Sequence, residues 1–305
     1  VFTLLDPDNI ENLLRTHAAE IVGAQNPSDQ IAIDGKALRG SKTLNTQCLH
    51  SVSAWCHENG LIIGEVQVES KSNEITAIPL LLESLNLKNN TVTIDAAGCQ
   101  KNIVAQIIEQ KGDYVLGLKR NHPKLYSAVE KRILSEGESD ANRLYDAFDE
   151  SHGRSVRRRY FGYDVSKLDN IQEWSAAKTV VAVETISSKD NDPNRSSSVE
   201  WRYFLSSHKS SDKRLPAYIR NHWSIENKLH WVLDVHMKED NDQKSERKSV
   251  RSFALLKRIA LNVVRTKDTT PKRSVRRKLK HSGPEKSLRL FRQMNVRRTV
   301  QIWTF

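Results

Sequence analysis

The chain has 305 residues, 38% of them hydrophobic and 28% charged, with 12 Gly and 8 Pro, a balance that excludes disordered, collagen-like and membrane-spanning chains. Its formal charge of +11 is unevenly placed: residues 1–242 carry 29 Lys and Arg against 34 Asp and Glu, whereas residues 243–305 carry 19 against 3. A mildly acidic body thus precedes a strongly basic end, which points to a polyanion such as nucleic acid; an acidic membrane surface or a solvated tail without a partner are the alternatives.

Residues 8–24 have helical apolar spacing at Ile10, Leu13, Leu14, Ala18 and Ile21, ending at Asn26-Pro27. QIAIDG is a short strand ending at Asp34, and residues 48–55 and 61–69 alternate as paired strands around His57-Glu58-Asn59-Gly60. Helical spacing returns over 73–85 with Asn73 as cap, followed by a buried-type strand at 91–95, a helix at 100–110 and a strand at 113–118. The order β-β-β-α-β-α-β predicts an α/β fold with the mixed sheet of ribonuclease H, in which the first and fourth strands are parallel neighbours.

Further on, Pro123 opens a helix to residue 137, and residues 138–212 mix strand-like runs with polar loops, of which Ser187–Ser198 is the most loop-like. Helical character resumes from Pro216 to about Val235, and residues 248–265 form a long amphipathic helix. The expected divisions are a remnant of an N-terminal helical region (1–27), the first part of the ribonuclease-H-like core (28–125), a β-rich insertion (126–210), the helical completion of the core (211–267) and a basic C-terminal tail (268–305). Cys48, Cys56 and Cys99 have no metal-ligand spacing, so a reducing, cytoplasmic setting is expected. Residue 1 is Val and no secretory leader opens the chain, so the reading is of a truncated N-terminus.

Parallel neighbours at the first and fourth strands would juxtapose Asp34 and Asp95. Two such carboxylates repel unless a cation lies between them, and oxygen ligands suit Mg²⁺ or Mn²⁺; each Asp is equally suited to capping a turn. A third carboxylate is sought in residues 219–240, where His222, Glu226, His230 and Asp234 recur every four residues. Each step drifts about 40° around an α-helix, so the four would share one stripe with Glu226 in its middle. Glu226 also suits a surface pairing with Lys228 or Arg220. Trp223 and Trp231 are read as packing surface for this helix, with base stacking as the less favoured role.

The segments AIDGKALRGS (32–41), KSNEI (71–75), TIDAAGCQ (93–100), DYVLGLKRN (113–121), HWSIENKLHWVLDVHMKED (222–240) and RIALN (258–262) resemble, in order, those of the H-repeat-associated, Rhs-linked bacterial insertion-sequence transposases. The resemblance reaches from residue 1 to about Arg265. It implies a DDE transposase with a ribonuclease-H-like core and a β-rich insertion, and carries the three catalytic, metal-holding acids onto Asp34, Asp95 and Glu226. It also implies a two-metal site for Mg²⁺ or Mn²⁺, nicking of DNA at transposon ends, and attack of the freed 3′-hydroxyl on target DNA. Double-stranded DNA, as transposon ends and as target, is the expected partner, with a homodimer expected and no membrane. Candidate phosphate contacts are Lys119, Arg120, Arg154, Arg157, Arg158, Lys272, Arg273, Arg276 and Arg277. The sequence departs from the family where Val156 replaces a usual acid, and where the further N-terminal helical region would stand. A truncated, catalytically silent DNA-binding remnant is therefore the alternative function.

Overall fold

The computed structural model describes residues 2–24, 30–69, 74–151, 154–166, 168–169, 171–189, 198–244, 246–267 and 277. The elements, in chain order, are α1 (Pro7–Ala24), β1 (Gln30–Leu38), β2 (Leu49–Cys56), β3 (Leu61–Val68), α2 (Glu74–Glu83), β4 (Thr91–Ile94), α3 (Lys101–Glu109), β5 (Asp113–Leu118), α4 (Pro123–Glu136), β6 (Arg143–Ser151), β7 (Arg154–Asp164), β8 (Thr179–Lys189), β9 (Ser198–Ser206), α5 (Leu215–His222), a π-helical turn (Glu226–His230), α6 (Trp231–Val235) and α7 (Arg247–Lys267). The expected β-β-β-α-β-α-β order is present from β1 to β5. Asn73, the expected cap of α2, and residues 190–197 lie outside the described residues.

The chain divides into two compact units. One comprises residues 1–28, 35–74 and 226–305. Its strand order is β3-β2-β1, with β2 and β3 antiparallel and a bulge where Ala54 and Trp55 face Gly64 and Ile62. Every residue of β2 is buried, with α1 and α7 packed on neighbouring β3; a strand buried throughout need not alternate, and LHSVSAWC mixes small polar and apolar residues. Leu38, Leu49, Val250 and Ala254 form one apolar cluster there.

The other unit comprises residues 29–34 and 75–225, with strand order β1-β4-β5-β9-β8-β7-β6. β1, β4 and β5 are parallel, joined through α2 and α3, and all four residues of β4 are buried, as a parallel strand covered on both faces requires. β9 then pairs antiparallel with β5, and β8, β7 and β6 continue antiparallel. Val115, Val181, Val183, Leu215, Tyr218 and Ile219 make a core cluster under this sheet. β6 was not anticipated: RLYDAFDES lies at the sheet edge, where Tyr145 and Phe148 stay exposed and charged residues keep the edge soluble, so no apolar run announces it.

Candidate active site

β1 and β4 are in parallel register from Gln30 beside Thr91 to Ile33 beside Ile94. Asp34 follows Ile33 within β1 and Asp95 follows Ile94 just past the end of β4, so the two aspartates come directly after the last paired residues. Asp34 is half-buried and Asp95 exposed. Asp95 also caps a turn, as its alternative reading proposed: its Oδ1 accepts from the amides of Ala97 at 2.9 Å and Gly98 at 3.3 Å. That use fixes the side chain and occupies one oxygen, leaving the other for a ligand.

The loop after Asp95 is held from several directions. Asn121 Nδ2 donates to the Ala96 carbonyl at 2.9 Å, and the His122 ring bonds the Cys99 carbonyl. Gly117 of β5 lies so close that a Cβ there would sit 3.0 Å from the Ala96 amide nitrogen and 3.3 Å from the Asp95 carbonyl carbon. Beneath the aspartates runs a buried polar ladder: Gln30 Nε2 donates to Thr93 Oγ1 at 3.2 Å and to the Tyr218 carbonyl at 2.8 Å, and Thr93 Oγ1 meets His222 Nδ1 at 3.0 Å. Desolvation pushes the His222 imidazole down to about 4, against the opposing pull of Asp95 and the Thr93 contact, so it is neutral at pH 7. Burial likewise pushes the Cys99 thiol up to about 12, with the Asp95 charge adding to it.

Glu226 belongs to the other unit, where it is exposed and begins the π-helical turn. The stripe of His222, Glu226, His230 and Asp234 is not one continuous α-helix: α5 ends at His222, Glu226 and His230 are the first and last residues of the π turn, and Asp234 lies in α6. Glu226 and His230 nonetheless share a side, with ligand atoms within 4.8 Å of each other. Asp234 instead bonds Lys36 at 2.7 Å. Trp223 and Trp231 are 49% and 52% exposed, so they are not the packing surface expected of them; Arg202 lies over Trp223 at 5.3 Å, and His236 meets Trp231 edge-on at 4.9 Å.

Several residues of the resembling motifs have roles that their spacing did not announce. Lys36, buried two positions after Asp34, meets Asp234, Asp240 at 3.1 Å and Glu239 at 3.6 Å. Burial alone would lower its ammonium; Glu239, Asp234 and Asp240 together hold it raised. Glu74 bonds His50 Nδ1 at 2.9 Å and lies where a Cβ on Gly35 would come within 2.7 Å of its carboxylate. The only sequence signal for Lys36 and Glu74 was membership of DGK and KSNEI.

Of the candidate phosphate contacts, Lys119 and Arg120 are exposed just beyond β5, and Arg120 lies over the Tyr126 ring at 5.7 Å. Arg157 is exposed but forms a forked pair with Asp146 at 3.0 and 2.6 Å, which neutralises it locally. Arg158 is half-buried and Arg277 exposed. The side chain of Arg154, and Lys272, Arg273 and Arg276 altogether, lie outside the described residues.

The family profile described as "Transposase DDE domain" matches residues 25–263, which contain Asp34, Asp95 and Glu226. The chain belongs to the DDE transposase family. The chain is 40% identical over 243 residues to YncI of Escherichia coli O157:H7, covering 77% of this chain and 61% of YncI. It is 35% identical over 264 residues to YhhI of E. coli strain K12, covering 85% of this chain and 70% of YhhI, whose name places it in the H-repeat-associated group. The chain thus spans 61% of the length of its YncI relative, and its membership of the H-repeat-associated DDE family agrees with the motif resemblance. A piggyBac transposase synaptic complex with hairpin DNA aligns over 92% of this chain and 55% of that one, at 9% identity and a TM-score of 0.47, a likeness too remote to argue from. No helix among the described residues is long and apolar enough to cross a membrane.

Proposed function

We propose that this chain carries out metal-dependent DNA strand cleavage and strand transfer on a ribonuclease-H-like core, with Asp34, Asp95 and Glu226 as its catalytic acids. The observation that carries the reading is the parallel register of β1 and β4, whose last paired residues, Ile33 and Ile94, are each followed by an aspartate. Two adjacent carboxylates are mutually repulsive without a cation, and an all-oxygen pair fits a hard divalent ion. Mg²⁺ or Mn²⁺, held by Asp34, Asp95 and Glu226, would supply Lewis-acid stabilisation of charge on the phosphate and a nucleophilic oxygen at neutral pH.

The chain's own residues set the conditions for that chemistry. The turn at Asp95 and the bonds from Asn121 and His122 hold the loop behind the acid, so its carboxylate needs little reorganisation on binding. Neutral His222, fixed by Thr93, adds no positive charge to compete with a cation for Asp95. Lys119, Arg120, Arg154, Arg157, Arg158 and the basic end at Lys272, Arg273, Arg276 and Arg277 would meet phosphates of transposon-end and target DNA, giving affinity without reading sequence. In this reading residues 126–210 are an insertion in the core, residues 211–267 complete it, and a homodimer holds two ends.

The test is nicking of DNA bearing the element's terminal sequences by purified protein in Mn²⁺. Asp34→Asn should lower the rate by at least about a thousandfold while retaining the wild-type circular dichroism and melting temperature. Wild-type cleavage by a folded Asp34→Asn protein, or DNA binding by the wild type with no nicking in Mn²⁺ or Mg²⁺, would overturn the proposal.

A further inference from the structure

RIALN, the last of the resembling motifs, has no part in the three acids, and α7 shows what it does. Arg258, Asn262 and Arg265 are spaced i, i+4 and i+7 and share one side of this helix. Arg258 is fully buried and ion-paired with buried Glu65 and Glu239. Asn262 Nδ2 donates to the Ile62 carbonyl at 2.8 Å, while its Oδ1 accepts from the Ile62 amide at 3.0 Å, pinning α7 to β3 beside the bulge. Arg265 Nη1 donates to the Gly60 carbonyl at 3.1 Å, and its guanidinium stacks on the buried Trp55 ring at 4.6 Å. Its Nη2 donates to the Lys228 carbonyl.

Lys228 is the third residue of the π-helical turn that starts at Glu226. A π turn replaces i→i+4 with i→i+5 bonding, is less stable than an α-helix, and reverts to α geometry unless its surroundings hold it. Reversion would rotate Glu226 relative to the residues after it. A guanidinium that grips a carbonyl inside the turn, and is itself anchored on the β2–β3 hairpin, opposes that rotation. The far side of the same segment is gripped too, since Glu239 binds Arg258 and Asp234 binds Lys36.

We propose that Arg265 is a positioning residue for Glu226: by holding the Lys228 carbonyl it maintains the π turn that aims the third acid. This rests on the reading of Glu226 as a metal-holding acid, and the test separates the two. On the full chain, Mn²⁺ binding without DNA is measured by calorimetry, amide exchange over residues 226–230 is measured in the metal-free protein, and nicking is followed against Mn²⁺ concentration. Arg265→Met should exchange at least tenfold faster over that turn and need at least tenfold more Mn²⁺ for half-maximal binding and nicking. Its rate at saturating Mn²⁺ should stay within threefold of wild type. Arg265→Lys, which keeps charge and one donor, should recover part of the lost affinity and carries the same test if the Met variant does not fold. Unchanged Mn²⁺ affinity or unchanged exchange in a folded variant overturns the positioning role. If Glu226→Gln binds Mn²⁺ as wild type does, the underlying reading fails instead.

Discussion

Gly117 shows at the level of single residues how narrowly the Asp95 loop is built. A side chain there meets backbone rather than a flexible neighbour, at 3.0 Å from the Ala96 nitrogen, so relief must come from moving the loop. Gly117→Val should therefore destabilise the chain by about 1–3 kcal/mol, the usual range for overpacking, read as a lowered urea midpoint. Its Mn²⁺ affinity should fall as well, because the moved segment carries Asp95. Cys99 offers a check on burial in the same loop. With its thiol pushed up to about 12 it stays protonated at every pH below that, and only thiolate reacts. Iodoacetamide at pH 8 should label half-buried Cys48 well before Cys99, as peptide mass spectrometry would show; equal rates would mean that the Asp95 loop opens readily.

Among the elements, α7 has a plain local signature and a packed side that its period does not reveal. Its amphipathic period over 248–265 agrees with the helix Arg247–Lys267, yet the pattern gave no hint that a fully buried arginine lies on the packed side. Arg258 is buried because Glu65 and Glu239 are buried with it. Arg258→Met should cost about 3–5 kcal/mol in chemical denaturation, since it removes the guanidinium that offsets two buried carboxylates. Neutralising them, with Glu65→Gln and Glu239→Gln added, should restore much of that loss. The segment from His222 to Val235 shows the opposite relation: residue spacing proposed one α-helical stripe, whereas the chain passes from α5 through a turn and a π-helical stretch into α6. Arg265, Lys36 and Arg258, all distant in sequence, contact that region or the residues following it, and no local pattern can register such partners.

Across the whole molecule, charge is separated from the proposed chemistry. The three acids lie within residues 1–242, where acids outnumber bases by 34 to 29, while residues 243–305 hold 19 bases against 3 acids. If the basic end grips phosphates, replacing Lys272, Arg273, Arg276 and Arg277 together by Ala should weaken DNA binding on all sequences alike. It should also reduce the slope of log affinity against log salt by up to about 4, through lost counterion release. Fluorescence anisotropy between 50 and 200 mM salt, on the order of the range where such slopes are measured, would read both; an unchanged slope would assign the charge to something other than DNA.

By itself the sequence determined the element order through β5, the positions of α1 to α4 and α7, the family, and the identity of the candidate acids. These are written in local periodicity, strand-end residues and contiguous motifs, each carried within a single stretch of chain. Tertiary structure decided the rest. The parallel register of β1 on β4 pairs Ile33 with Ile94, the residues just before Asp34 and Asp95, and β6 emerges only as the edge of a sheet. Trp223 and Trp231 face outward although their spacing suits a buried side, and Lys36, Glu74, Arg258 and Arg265 gain their roles from partners tens to hundreds of residues away. The reason is that a charged or polar side chain is buried only when its desolvation is offset by a partner in space, and one-dimensional spacing does not contain that partner's position.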